Sequence, residues 1–228
     1  MRLVELPHGH LSWSGLSTWE RSEKEYDEKY ILNQSQRSNS GMEFGKYVAD
    51  GLEQEEADET IESLRLRLPA YSQREHSVEV TYKGIPLMGR IDTYNDKDGA
   101  FREYKTGRRD NLGNPPWTPA KAKEHGQIAF YAFMLWLQTK KVPPTAYLDW
   151  IETVVREDGT VGLAEHIHSF QVPITIEMIV KMGARIEKAA KEINKRYLIY
   201  KNYVTESKKV SAEQISAQSK HVLLARGV

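Results

Sequence analysis

Cysteine is absent from this sequence of 228 residues. Its absence excludes disulfides, cysteine-ligated zinc, iron–sulfur clusters and thiol catalysis. Long apolar runs are missing as well: nothing approaches the ~20 residues that span a bilayer, so no membrane partner is expected. The opening residues, MRLVELPHGH, lack the charged-then-apolar layout of a signal peptide, which makes the cytoplasm the expected location. An excess of one charge is missing too, with 32 Lys+Arg facing 32 Asp+Glu. That balance argues against a uniformly basic nucleic-acid coat and leaves room for a local basic groove. What is there, 39% hydrophobic, 28% charged and 10% aromatic residues, describes a soluble folded chain and not a disordered one. A single domain of this length buries about 70% of its unfolded surface.

No internal repeat, low-complexity tract or Gly/Ser linker interrupts the chain. The reading is one domain over 1–204 and a polar tail over 205–228, helical or disordered, with Ser211 and Gln214 as a possible capping box. LSWSGLSTWERSEKEYDEKYIL sets Leu16, Trp19, Tyr26 and Tyr30 at roughly helical spacing, with Ser14 or Ser17 as candidate cap. After the polar break NQSQRSNSG, a second helix runs from about Glu43, with Phe44, Val48 and Leu52 on one face, until Pro69 closes the region. The period then changes. HSVEVTYKG, IPLMGRIDTY and AFREYKTG read as three successive antiparallel strands. A Pro-rich loop leads to HGQIAFYAFMLWLQTKK, a helix apolar on nearly every side and so buried. AYLDWIETVV and GLAEHIHSFQV form a further strand pair, and ITIEMIVKMGARIEKAAKEINKRY a long amphipathic helix. The order predicts a mixed α/β or α+β domain, a central mixed sheet flanked by helices.

The hairpin LMGRIDTYNDKDGAFREYKTG carries the chemistry. A turn symmetric about Lys97–Asp98 sets Asp92 opposite Glu103; a turn at Asp98–Gly99 sets it opposite Lys105 instead. In either register the period of two puts Asp92, Glu103 and Lys105 on one face. Facing carboxylates repel unless something positive lies between them, and a divalent cation with a preference for hard oxygen answers that need. A lysine nearby completes a hydrolytic set. The plainer alternative is a solvated hairpin face on which Asp, Glu and Lys neutralise one another.

Gly-Arg-Ile-Asp, a ten-residue gap and then Glu-Tyr-Lys-Thr-Gly resembles the core motif of the PD-(D/E)XK nuclease superfamily, in its RecB-like branch. Ile91 stands where the motif has proline, as is common in that branch. LSWSGLSTWERSEKEY looks like the branch's opening helix, FGKYVADGLE like its second, and Gln127 with Tyr131 like its Gln-x-x-x-Tyr pair. The resemblance implies a restriction-endonuclease-like core and a deoxyribonuclease, an exonuclease of the phage or recombination type. It implies Mg²⁺ or Mn²⁺ held by Asp92, Glu103 and the backbone carbonyl of Tyr104, with Lys105 orienting or helping to deprotonate water. Gln127 and Tyr131 would position the lysine and the DNA, Arg108 and Arg109 would meet phosphates, and Thr106, also on the DNA side, would let the chain leave the strand close to the substrate. DNA is the implied partner, together with a helicase or recombination protein, in a bacterial cytoplasm or, for a phage-encoded chain, that of the host.

The chain departs from the pattern at two places. The family's metal-binding histidine aligns with Ala49, so a third side-chain ligand must come from elsewhere; Glu53, one turn on, is the candidate. This gap also admits a catalytically weak or inactive DNA-binding or scaffold module. Ser22 and Glu23 replace the family's Cys-Pro, so packing of Trp13 and Trp19 on the last helix must hold that corner. Lesser signals are the His8/His10 and His166/His168 pairs, His125 ahead of the buried helix, an apolar stripe of Met178, Met182 and Ile186, and a basic side on the last helix from Lys181 to Arg196.

Overall fold

The structure is a computed structural model that describes residues 4–34, 38–54 and 56–225, with side chains to residue 206. Helix α1 spans Trp13–Arg21 and α2 Glu23–Tyr26, which runs into a π-helical turn over Asp27–Ile31. Helices α3, Ser40–Glu53, and α4, Glu59–Arg67, precede strands β1 (Gln73–Tyr82), β2 (Ile85–Tyr94) and β3 (Phe101–Gly107). Helices α5 (Pro119–Lys123) and α6 (Gly126–Thr139) lead to β4 (Thr145–Val155), β5 (Val161–Pro173) and α7 (Ile176–Ala225). The five strands pair in sequence order, antiparallel except for β3 with β4, which are parallel because α5 and α6 carry the chain back between them.

Two apolar clusters cover the two faces of the sheet. The larger joins Phe101, Leu148, Trp150 and Ile91 to α1, α6 and α7. Along α6 every residue from Ile128 to Leu135 is buried, as its all-round apolar sequence requires. The smaller cluster seats Val48, Ile61 and Leu64 of α3 and α4 on Ile151, with Phe44, Leu52 and Tyr104 packed against it.

Capping corrects two helix assignments. The segment read as one helix up to Pro69 is two, because Asp58, hidden in an acidic run, accepts from the Ile61 amide at 3.0 Å and starts α4. The cap of α1 is Ser12, not Ser14 or Ser17: its hydroxyl accepts from the Gly15 amide at 3.2 Å. Ser14 instead shares a hydrogen bond with Ser12. The backbone of the C-terminal segment continues α7 to Ala225, and the Ser211–Gln214 capping contact lies outside the described side chains.

The basic side of α7 is largely neutralised. Lys181 pairs with Glu177, Lys191 with Glu187, Arg185 with Glu20, and Arg196 with Glu23 and Asp27. Arg185 also lies over the Trp13 ring and Arg196 over Trp19. These contacts fasten the opening helices to α7, at the corner where the family's Cys-Pro is replaced.

Candidate active site

The β2–β3 turn closes with Asn95 N–H donating to the Ala100 carbonyl at 2.8 Å, and Gly99 takes the left-handed φ of 83° that the reversal needs. Thr93 pairs with Arg102 and Tyr94 with Phe101, the register that sets Asp92 opposite Glu103. Beyond these pairs the ladder opens. The Asp92 carboxylate enters the gap and accepts the Tyr104 amide at 2.5 Å. Glu103, 2% exposed, takes a bond of 2.6 Å from the Lys105 ammonium through Oε1. Its other oxygen, Oε2, is buried without a partner.

Burial, and then the charge of Glu103, raises Asp92 well above the ordinary carboxylate range, against the pull of Lys105 and the Tyr104 amide. Burial likewise raises Glu103, against the pull of Lys105. Lys105 would lose its proton more readily through burial alone; the Glu103 and Asp92 carboxylates outweigh that and hold it above the ordinary lysine range. In this state Lys105 is a cation, suited to orienting and to offsetting negative charge more than to abstracting a proton.

On α6 the Gln127 amide donates to the Tyr131 hydroxyl at 2.9 Å. Gln127 also lies beside Glu103, short of a bond to Oε2. Tyr131 reaches this position because Gly89 of β2 has no side chain: a Cβ there would stand 2.7 Å from the Tyr131 ring. Lys105, Gln127 and Tyr131 thus line one cleft of about 620 Å³. His10, one of the lesser signals of the sequence, lines the same cleft, together with residues not foreseen there: Ser12, Trp13 and Ser14 around the start of α1, and Arg90 of β2.

The remaining candidates divide. Thr106 and Arg108 line a neighbouring cleft of about 580 Å³ beside the start of α3. Arg108 is exposed, and no partner for it is found among the described residues, whereas Arg109 binds Glu152 at 2.7 Å and lies over Trp150. Glu152 also holds His168 at 3.0 Å, and His168 stacks on Trp150. His8 packs edge-on against Tyr30. His125, beside the Trp13 and Trp117 rings, is pushed down to about 4 by burial and by Lys105, so it is neutral. Glu53 bonds Arg90 Nη1 at 2.8 Å.

A carboxylate absent from the predicted set is Glu75. The β1–β2 register, with Arg74 on Thr93 and His76 on Ile91, sets it opposite Asp92. Its φ of 50° is left-handed, unusual for a strand glutamate. Burial, Asp92 and Glu53 push it up to about 7. The sequence signal existed: counting back across the Lys83–Gly84 turn pairs position 75 with position 92.

Divalent-ion fit rests on Asp92, Glu103 and the intervening backbone. The unpartnered buried Oε2 of Glu103, set beside a second carboxylate that resists ionisation, is the donor a hard cation satisfies. Among the described residues no trio of acidic or imidazole side chains forms a ready cage; the paired carboxylates of Asp92 and Glu103 are the donors that could hold an ion.

The profile of the PD-(D/E)XK nuclease superfamily matches residues 10–219. The chain belongs to that superfamily. Among solved structures, this nuclease-superfamily chain is similar to a phage-related exonuclease from Haemophilus somnus 129PT, with a TM-score of 0.53 and 15% identity over 85% of this chain and 86% of that one. It is also similar to a protein from Eubacterium rectale provisionally assigned as an exonuclease, with a TM-score of 0.55 and 10% identity over 83% and 82%. At these identities the likeness is one of fold. No curated protein matches at a significant level.

Proposed function

We propose that this nuclease-superfamily chain is a Mg²⁺- or Mn²⁺-dependent deoxyribonuclease that hydrolyses phosphodiester bonds in the cleft beside Lys105. The observation carrying this reading is the buried Asp92–Glu103 pair, with Lys105 bonded to one oxygen of Glu103 and nothing bonded to the other. Asp92, Glu103 and the Tyr104 carbonyl would hold the ion. When bound, a divalent ion makes water more acidic and screens a phosphate.

The chain's own groups do the rest. Lys105 keeps its proton and aims it at the water or a phosphate oxygen, which offsets charge in the transition state. Tyr131 and Gln127, bonded to each other, hold the far wall and orient the backbone. Arg108 is the exposed cation at the next cleft, available to a second phosphate. Exonuclease action is supported by the description of the Haemophilus somnus structure. Such an enzyme would serve recombination, repair or phage DNA processing, with a helicase or recombination protein delivering ends to a chain of zero formal charge.

Ala49 in place of the family's histidine favours a second reading, a binding or scaffold module with little catalysis. One assay decides. Linear and circular DNA are incubated with and without Mn²⁺, beside Asp92→Ala and Lys105→Ala. Metal-dependent loss of linear DNA, abolished in both variants, is expected; binding without cutting by the native chain would support the module instead. Nicking or cutting of the circle would replace exonuclease by endonuclease.

A further inference from the structure

We propose that Arg90 is a phosphate seat of the catalytic cleft and that Glu53 occupies that seat until nucleic acid arrives. This inference rests on the nuclease reading. Among the residues lining the cleft, Lys105 and Arg90 carry the permanent positive charges. Lys105 gives one of its three protons to Glu103 at 2.6 Å and serves the reacting centre itself, so a neighbouring phosphate needs the second cation. Arg90 lies two positions before Asp92 on the same strand and keeps 56% of its side chain exposed. At roughly 3.3 Å per strand residue its Cα stands about 7 Å from that of Asp92, and the residue lines the same cleft as Lys105.

Its present partner is informative. Glu53, the last residue of α3, presents one carboxylate oxygen to Arg90 Nη1 at 2.8 Å, and Glu75 approaches Nε at 3.7 Å. A guanidinium has five donors in a planar fork that fits carboxylate and phosphodiester oxygens alike. Both side chains of the Glu53 pair are well exposed, at 56% and 39%. Exposed pairs of this kind hold weakly, so a phosphate can displace the carboxylate. Glu53 is thereby a stand-in for substrate and not a ligand of the ion, and Arg90 fixes the phosphate next to the scissile one.

The test reads DNA binding, not turnover. Binding of a fluorescent blunt duplex is measured by anisotropy across a range of KCl, in EDTA and again with Ca²⁺. Arg90→Ala is expected to weaken binding about tenfold and to flatten the slope of log K against log salt by about one phosphate's worth, ~0.9. Arg90→Lys should recover the slope and only part of the affinity, because the fork is lost. Glu53→Gln should tighten binding about threefold with the slope unchanged, since it removes a competitor of modest strength. The double variant should match Arg90→Ala, because without the arginine there is nothing to compete for.

Binding of Mn²⁺ is measured on the same proteins by electron paramagnetic resonance and should be unaffected by Glu53→Gln. An unchanged salt slope in Arg90→Ala, or Mn²⁺ affinity lost in Glu53→Gln, overturns the proposal while leaving the nuclease reading standing. A native chain that binds no DNA in either condition removes both.

Discussion

Replacing Glu75 by glutamine gives the most quantitative check on the electrostatics of the site. Glu75 lies opposite Asp92, with 27% of its side chain exposed and a pKa pushed up to about 7 from an ordinary 4.5. A group that binds its proton more tightly in the folded chain stabilises the fold below the unfolded pKa. That stabilisation is lost as pH rises through the folded value, because the unfolded chain then holds fewer protons than the folded one. At about 1.4 kcal/mol per pH unit, the span from 4.5 to about 7 corresponds to a little over 3 kcal/mol. Solvent screening of the exposed part reduces the expectation to about 2 kcal/mol. Urea unfolding of the metal-free protein should therefore find Glu75→Gln as stable as the native chain near pH 4 and about 2 kcal/mol more stable at pH 8. The residual slope of the variant belongs to Asp92 and Glu103, both also raised by burial. Identical pH profiles for the native chain and the variant would refute the reasoning.

Other perturbations have defined outcomes. Lys105→Ala should slow DNA hydrolysis at least about 100-fold while Mn²⁺ still binds, since the lysine acts on charge in the transition state and not as a ligand; a rate within threefold of native would contradict this. Arg102 and Asp149 form a buried ion pair at 2.7 Å behind the site, at 8% and 0% exposure, with Ser169 also bonded to Asp149. Arg102→Leu should cost about 3 kcal/mol in urea unfolding, because a buried aspartate is left with a single hydroxyl; a loss under 1 kcal/mol would speak against it. Gly89→Ala should cost about 1–3 kcal/mol and reduce cutting, because the new methyl displaces Tyr131. An unperturbed Tyr131 in a crystal structure of that variant would contradict it.

Much of the site was legible because it is local in the chain. A short turn fixes which residues of β2 and β3 oppose each other, so alternation put Asp92, Glu103 and Lys105 on one face; helical spacing put Gln127 and Tyr131 on one face of α6, and only the resemblance to the nuclease superfamily gave that pair a role. The all-apolar character of α6 announced its burial. Most of what escaped depends on contacts that no spacing encodes. The exception is Glu75, one position ahead of the strand as read from alternation, which the count across the Lys83–Gly84 turn pairs with Asp92. Arg108 and Arg109 are neighbours of identical chemistry, and only Glu152, reaching in from β4, separates the engaged one from the exposed one. Asp58 looked like one more charge in an acidic run, although its carboxylate caps α4. Arg90 and Glu53 are far apart in sequence and become a pair only when α3 meets the sheet.

The central claim, a divalent ion held by Asp92 and Glu103, is tested most directly by titrating Mn²⁺ into the metal-free protein and following the free-ion signal by electron paramagnetic resonance. The native chain should remove Mn²⁺ from solution with saturable affinity, and Asp92→Asn and Glu103→Gln should each abolish that uptake while remaining folded by circular dichroism. Uptake equally strong in both variants, or none by the native protein, would contradict the account.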